Sequence, residues 1–354
     1  MTKLRVGLVG LGLVAQVVHL PVLRALSERF EVVAGCDISL SLAEAVANRH
    51  SIPHVYPSFE AMLAAEQLDV VAILNSDEYH TDAAVAALEA GCHVLLEKPI
   101  CLNLDEVAAM IAARDAARRQ VMVGYMRRQT EAYRNLKAAL GPNPDIQHIA
   151  VRDIVGPNPY FSEQKKSLLV ATDIPESAMQ ERAERGARQV RAAIGDAPEA
   201  SVNAYRLLNR LSSHDLSALR GLVGRPRRVI GASCKRNGRF VSALLDYGAF
   251  TATFEIGGDL VNRFDAHIEV FTGDRRWRIQ YDNPYVRHLP TTLICHGSGD
   301  EPFSMIDNAR SPYVAEWLAL WEALVNGVGF EATLEDAAND VRLAIDIVSA
   351  FGPE

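Results

Sequence analysis

At 354 residues the chain is long for one hydrophobic core and suits two joined domains, and its 49% hydrophobic content is that of an ordinary water-soluble globule. A formal net charge of −8 excludes the basic excess by which a nucleic-acid-binding surface announces itself; the doublets Arg127-Arg128, Lys165-Lys166, Arg227-Arg228 and Arg275-Arg276 stand apart, and most of them read as solvated faces. Five cysteines without a C-x-x-C pair suggest neither a disulfide framework nor a zinc knuckle, and the scattered histidines give no metal motif, so reduced thiols, a cytoplasmic location and no metal are expected.

Lys3 and Arg5 ahead of an apolar run reaching Leu23 imitate a signal peptide. Gly7, Gly10, Gly12, Gln16, His19 and Pro21 interrupt the run, and neither a cleavage site nor a membrane span is expected. The same residues make better sense as a strand over 4–9 opening into Gly10-Leu11-Gly12-Leu13-Val14-Ala15. A backbone that turns sharply and then admits a pyrophosphate cannot carry a Cβ at the turn, which explains Gly10 and Gly12; Ala15 lets helix pack on strand. A helix over about 13–26 then points the N–H groups near Leu13 and Val14 at the phosphates. A second strand, EVVAGCD, ends in Asp37, close to the roughly 20-residue spacing expected of the acid that holds a ribose hydroxyl. These features together predict a dinucleotide site for NAD. NADP is disfavoured because Asp37 would repel a 2′-phosphate and no arginine follows at Ile38 or Ser39.

Strand and helix then alternate as in a parallel sheet, with further strands at 70–74, 93–96 and 120–123 and helices near 40–49, 58–65, 81–90 and 104–118. Residues 1–124 therefore form the predicted Rossmann domain. Ligands of such sheets lie beyond the carboxyl ends of the strands, which places Asn75 to His80, including Ser76, and Glu97-Lys98-Pro99 at the nucleotide crevice. The Lys98–Pro99 peptide is expected to be cis.

The rhythm changes after Gly124. A helix over 129–140 and a strand over 147–154 precede alternating, half-apolar runs at 227–235, 239–247, 250–256, 264–271 and 275–281, which suit antiparallel strands with one buried face. Residues 125–354 are thus expected to form an α+β domain with a large, mainly antiparallel open sheet that binds substrate and mediates oligomerisation. Within the polar stretch 156–200, Met179, Ala183, Ala187, Val190 and Ile194 recur at helical spacing; a solvated helix along the sheet edge is favoured over a lid. A helix over about 202–222 carries His214. Two terminal helices start at Ser311-Pro312 and at Thr333 with Asp336 three residues on, and Trp317, Leu320, Trp321, Leu324 and Val325 read as core.

Residues 69–101, DVVAILNSDEYHTDAAVAALEAGCHVLLEKPIC, resemble the Gfo/Idh/MocA oxidoreductase family, whose signature joins a strand and a short loop ending in histidine to an A-L-x-A-G-x-H-V turn and E-K-P. Val123-Gly124-Tyr125-Met126-Arg127-Arg128 and Thr333-Leu334-Glu335-Asp336 extend the resemblance over most of the chain. It implies that Lys98 reaches the nicotinamide ribose and the reacting hydroxyl, that His214 is the acid/base, and that the protein is a homodimer or homotetramer associating through the open sheet face. The family often carries Asp four residues before the histidine, where this chain has Arg210, and the Asp three residues after it is Ser217 here. Asp215, about 100° around the helix, is a poor substitute. Tyr125, Asp153 and Tyr281 are candidate partners of His214 and, with Arg127 and Arg210, candidate substrate contacts.

The expected activity is hydride transfer between NAD and a secondary alcohol or ketone of a sugar, inositol or sugar derivative. An NAD-dependent glycoside hydrolase that oxidises a sugar carbon transiently and a non-catalytic NAD-binding regulator are the alternatives. If Arg210 sits one turn from His214, an anionic or keto-bearing sugar is preferred over a neutral polyol.

Overall fold

The computed structural model describes residues 2–142, 144–286, 289–299, 302–307 and 311–352. The chain divides into two compact units. The first comprises the chain through Gly124 together with Lys165–Ala193 and Glu316–Val341; the second comprises Tyr125–Gln164, Ile194–Ala315 and the chain from Arg342. The first break falls at Gly124/Tyr125, and two later segments return to the first unit, where their side chains find partners.

The first unit is built on β1 (Leu4–Val9), β2 (Phe30–Cys36), β3 (His54–Tyr56), β4 (Val70–Ile73), β5 (His93–Leu96) and β6 (Val121–Val123), parallel in the order β3-β2-β1-β4-β5-β6. Every residue of β4 is buried, as a strand covered on both faces requires. The three-residue β3 at the sheet edge carries too little pattern to be read from sequence. The order reverses between β1 and β4, so the residues after Val9 and after Ile73 share one sheet edge, the usual place for a ligand.

Around this sheet lie α1 (Leu20–Ala25), α2 (Leu40–His50), α3 (Phe59–Ala65), α4 (His80–Glu89) and α5 (Leu104–Ala117). The expected helix over 13–26 is present with its turn widened to π geometry over Ala15–His19, ahead of α1. Pro21 accounts for this: it has no N–H with which to continue the i→i−4 ladder. Ser39, Ser58 and Asn103 cap α2, α3 and α5 with side-chain oxygens that accept from the third backbone N–H on.

In the second unit, α6 (Glu131–Leu140), capped by the Thr130 hydroxyl, leads to β7 (Ile146–Val155). Next come α7 (Pro159–Lys165), α8 (Glu176–Ile194), α9 (Glu199–Arg210) and α10 (Ser213–Val223); α8 lies almost wholly in the segment that belongs to the first unit. The sheet continues with β8 (Arg228–Lys235), β9 (Phe240–Asp246), β10 (Thr251–Gly258), β11 (Phe264–Thr272), β12 (Arg275–Tyr281), β13 (Thr291–Gly297) and β14 (Phe303–Asp307). Its order is β14-β13-β12-β11-β7-β10-β9-β8, antiparallel throughout except for the β7–β10 pair. Along β10, Ala252, Phe254 and Ile256 are buried and alternate with half-buried neighbours, the expected one-faced pattern. The short β13 and β14 mix threonine, serine and charge among their apolar residues and were not anticipated.

Helices α11 (Pro312–Asn326) and α12 (Leu334–Ser349) end the fold. The Thr333 hydroxyl accepts from Asp336 N–H at 3.2 Å, the cap expected from sequence. Among the described residues no helix is long and apolar enough to cross a membrane.

The predicted helix over 202–222 is corrected: α9 ends at Arg210, Leu211 and Ser212 form a turn, and α10 begins at Ser213. In the last turn of α9 the Asn209 amide donates to Tyr205 O at 2.9 Å, and two serines of modest helix propensity follow. Arg210 is therefore not one turn before His214 on a shared helix. It is exposed at the carboxyl end of α9, where a cation suits the helix dipole.

Candidate active site

In the first unit the residues singled out from sequence gather along one edge of the sheet. Gly10 has φ +90, and a Cβ there would lie 2.7 Å from both Asn75 N and Asn75 Cα, so only glycine lets the loops after β1 and β4 approach this closely. A Cβ on Gly12 would meet nothing within 4 Å, leaving open space beside the backbone. Gly12, Leu13 and Val14 are half-buried while Ala15 is fully buried against the sheet. Asp37 binds the loop directly: its Oδ2 accepts from Leu11 N–H at 2.8 Å and its Oδ1 from Ser39 N–H at 2.9 Å.

His80 is buried and faces two carbonyls, with Nδ1 2.7 Å from Pro99 O and Nε2 3.2 Å from Asn75 O. It ties the loop after β4 to the turn after β5, in which the Lys98–Pro99 peptide is cis. Burial lowers its pKa although both carbonyls favour the charged ring, and a neutral ring, with a single N–H, donates to only one of the two. The buried Asn75 Oδ1 accepts no hydrogen bond from the protein, and the Ser76 hydroxyl accepts from Arg182 at 3.3 Å.

Glu97 belongs to a buried cluster that sequence reasoning missed. Its Oε2 accepts from Lys98 N–H at 3.0 Å and its Oε1 lies 3.0 Å from His19 Nε2. Trp317 Nε1 donates to His19 Nδ1 at 3.0 Å. An indole nitrogen only donates, so His19 Nδ1 accepts and the ring proton sits on Nε2, directed at Glu97. Burial alone would raise the Glu97 pKa, but the hydrogen bond from His19 and the charge of Lys98 bring it below the ordinary carboxylate value. The carboxylate thus buttresses the Lys98 backbone. Glu316 is wholly buried with neither oxygen hydrogen-bonded, and burial followed by the Glu97 charge pushes its pKa well up, so it keeps its proton.

The second unit brings together Arg127, Asp153 and Tyr281, and adds Asp215. The short 3₁₀ turn Met126–Gln129, closed by Arg128 N–H to Tyr125 O at 3.0 Å, buries Tyr125 and Arg127. Arg127 Nη2 donates to Asp153 Oδ2 at 3.2 Å, Arg127 Nη1 donates to Asp215 Oδ1, and the guanidinium lies 4.6 Å from the Tyr281 ring centroid. Burial, joined by the Asp153 charge, pushes the Asp215 carboxyl well up despite Arg127. Asp153 Oδ1, Asp215 Oδ2 and Tyr281 Oη remain without hydrogen-bond partners. His214 is buried in the first turn of α10, adjacent in sequence to Asp215. Among the described residues no group of three or more His, Cys, Asp or Glu side chains is arranged to hold a metal ion.

The first-unit residues fit a nicotinamide dinucleotide: open space at Gly12, the free acceptor at Asn75, the helix start at Leu13 and Val14, and the acid ending β2 meet the needs of pyrophosphate and ribose. A Rossmann unit joined to an α+β unit with a large mixed sheet defines a dinucleotide-binding protein of two-domain type. Residues 4–125 match the model of the oxidoreductase family with NAD-binding Rossmann fold, GFO_IDH_MocA. Residues 4–125 are thus similar to the NAD-binding unit of the Gfo/Idh/MocA oxidoreductases, the family that the E-K-P segment resembles.

The D-glucoside 3-dehydrogenase of Escherichia coli (strain K12) is 37% identical over 109 residues, 31% of each chain. The inositol 2-dehydrogenase of Salmonella typhimurium is 35% identical over 136 residues, 38% of this chain and 40% of that one. The matches thus span well under half the length of these curated relatives. Over the whole chain the fold is similar to that of the UDP-N-acetylglucosamine 3-dehydrogenase from Acidithiobacillus ferrooxidans, with TM-score 0.75, 19% identity and 99% and 98% of the two chains covered. It is also similar to myo-inositol 2-dehydrogenase from Lactobacillus plantarum, with TM-score 0.72, 18% identity and 99% and 97% covered.

Proposed function

We propose that the chain is an NAD-dependent oxidoreductase acting on a secondary alcohol or ketone of a sugar, inositol or sugar derivative. The observation that carries this reading is the E-K-P turn: Lys98 follows β5 on the same sheet edge as the glycine loop, its backbone held by a buried carboxylate with no solvent role. The partial relatives named for glucoside and inositol oxidation support the substrate class.

Bound NAD would supply hydride acceptance and donation. Gly12, Leu13 and Val14 would hold its pyrophosphate through backbone N–H groups, and Asp37 its adenosine ribose, since each carboxylate oxygen can accept a further bond beside its backbone donor. Asn75, Ser76, His80 and Pro99 shape the nicotinamide half of the crevice. His80 does so by holding its walls together and Glu97 by fixing Lys98. The Lys98 ammonium would stabilise the negative charge growing on the substrate oxygen, and His214 would exchange the hydroxyl proton. Arg127 and Asp153, with Tyr125 and Tyr281, would offer the second unit's polar contacts to substrate hydroxyls. Association into a homodimer or homotetramer accompanies this reading.

The test is nucleotide content of the purified protein followed by NADH formation across a panel of sugars, sugar acids and inositols. Substrate-dependent NADH from at least one of them is expected. Bound cofactor with glycoside cleavage and no net NADH would replace the reading with the hydrolase, and nucleotide binding with neither would replace it with the regulator.

A further inference from the structure

The segment Lys165–Ala193 returns to the Rossmann unit and is fastened there by specific bonds. Gln16, in the first turns of the helix after the glycine loop, exchanges two hydrogen bonds with the Leu169 backbone, both 3.0 Å. Arg49 donates to Ser167 O at 2.8 Å. Farther along, Arg185 donates to Glu78 O at 2.8 Å and to Asp82 at 2.7 Å, and Gln189 donates to Glu78 O at 2.9 Å. The segment therefore spans the ends of both strands that flank the nucleotide edge.

At the end of β2 this segment delivers Asp173. The Ser39 hydroxyl donates to Asp173 Oδ1, and Ser41 N–H donates to Asp173 Oδ2 at 3.1 Å. Ser39 is at the same time the residue whose N–H donates to Asp37. One serine thus carries two carboxylates, Asp37 on its backbone and Asp173 on its side chain. A 2′-phosphate on a ribose held by Asp37 would need hydroxyl and N–H donors just past the strand end, at the start of the following helix, together with a cation. In this chain Asp173 already occupies those donors and brings a negative charge.

We propose that Asp173 is a second determinant of dinucleotide choice: by taking the Ser39 hydroxyl and the Ser41 N–H, it denies a ribose 2′-phosphate its donors and adds repulsion to that of Asp37. The proposal rests on the reading of this edge as an NAD site. The Ser39 hydroxyl and Ser41 N–H bonds hold the Asp173 pKa below the ordinary carboxylate value, so the charge is present at neutral pH. The device lies 136 residues beyond Asp37 in sequence, outside the stretch from which dinucleotide preference is usually read.

The test is equilibrium binding of NADH and NADPH, followed by fluorescence, to the full chain, Asp37→Ala, Asp173→Ala, Asp173→Asn and the double alanine variant. The readout is the ratio of the two dissociation constants, which a general loosening of the segment would not change because it moves both alike. The parent is expected to favour NADH. Asp173→Ala should shrink the ratio about tenfold, as expected when two donors are freed and one like charge removed, and because Asp37 and Asp173 share Ser39 the double variant should shrink it further than either single variant without the two effects simply adding. Asp173→Asn, which keeps an acceptor for Ser41 while losing the charge, should fall between. If the parent favours NADH but Asp173→Ala leaves the ratio within twofold, the role of Asp173 is overturned and the NAD site stands. If the parent binds both equally, the NAD preference itself fails and the proposal with it.

Discussion

Gly10 and Gly12 look equivalent in sequence, yet the structure separates their purposes, and Gly10→Ala and Gly12→Ala should therefore fail in different ways. At Gly10 the added methyl would lie 2.7 Å from two backbone atoms of Asn75 and 2.9 Å from Leu74 C, at a φ of +90 that side chains rarely adopt. The unfavourable φ costs about 1–2 kcal/mol and the overlap about 1–3 kcal/mol more, because backbone on both sides must move. Gly10→Ala is thus expected to destabilise the first unit by about 2–5 kcal/mol. At Gly12 the methyl meets nothing, and stability should stay within about 0.5 kcal/mol of the parent. The same methyl projects into space that a pyrophosphate needs, so dinucleotide affinity should drop roughly tenfold or more. Urea unfolding monitored by tryptophan fluorescence, paired with NADH titration, reads both quantities. A Gly12→Ala protein that binds NADH like the parent refutes the assignment of that open space to the nucleotide; a Gly10→Ala protein of parental stability refutes the close approach of the two loops.

Lys98→Ala and His214→Ala should each lower turnover by roughly two to four orders of magnitude in steady-state kinetics on whichever substrate the panel yields, with NADH affinity of His214→Ala nearly unchanged; a His214→Ala enzyme at parental turnover removes that residue from proton transfer. Glu316 keeps its proton in the fold at a pH where the unfolded chain, with the ordinary value of 4.5, releases it, so stability is lost as pH rises from there toward the folded value, by up to about 1.4 kcal/mol per pH unit. Glu316→Gln should flatten that slope between pH 5 and pH 8 in urea unfolding, and an unchanged slope would show that Glu316 is ionised in the fold. Asp215→Asn, which copies a protonated carboxyl, should unfold near the parental temperature, whereas Asp215→Ala strips an acceptor from buried Arg127 and should cost about 1–3 kcal/mol; equal damage from both would mean that Asp215 carries a charge.

What the sequence disclosed was what short spacing encodes. Gly10, Gly12 and Asp37 announced the first βαβ unit, since a tight turn and a strand-end acid are local requirements. The E-K-P turn stood out for the same reason, and alternation along β10 and β12 declared a one-faced sheet. What stayed hidden depends on contacts between distant residues. His19 read as an interruption of an apolar run, and Trp317 as ordinary core, until the two met and fixed the ring proton toward Glu97. Asp173 sat in a polar stretch, ahead of the helical spacing that begins at Met179, where no pattern marked it, and its segment binds the Rossmann unit at Gln16, Ser39, Glu78 and Asp82. The break at Leu211-Ser212 removed the premise on which Arg210 was set beside His214, because a two-residue turn between helical segments leaves no periodicity to detect.

Each unit buries a pair of acids, and the same physical constraint decides how each pair is charged. In the first, Glu97 has three sources of stabilisation for its charge: the Nε2 proton that Trp317 fixes on His19, the Lys98 N–H and the Lys98 charge. Glu316 has no hydrogen-bond partner, and a second bare carboxylate beside Glu97 would cost several kcal/mol, so the proton stays on Glu316. In the second unit, the single guanidinium of Arg127 balances one carboxylate of two. Asp215 lies within hydrogen-bonding reach of Asp153, and each has one oxygen that accepts from nothing. A proton on Asp215 therefore removes the excess charge and supplies the donor that two facing carboxylates lack. A protein that had to ionise all four acids would have to open both interiors to water; holding two protons keeps them closed, with Lys98 leaning on one pair and Arg127 set into the other.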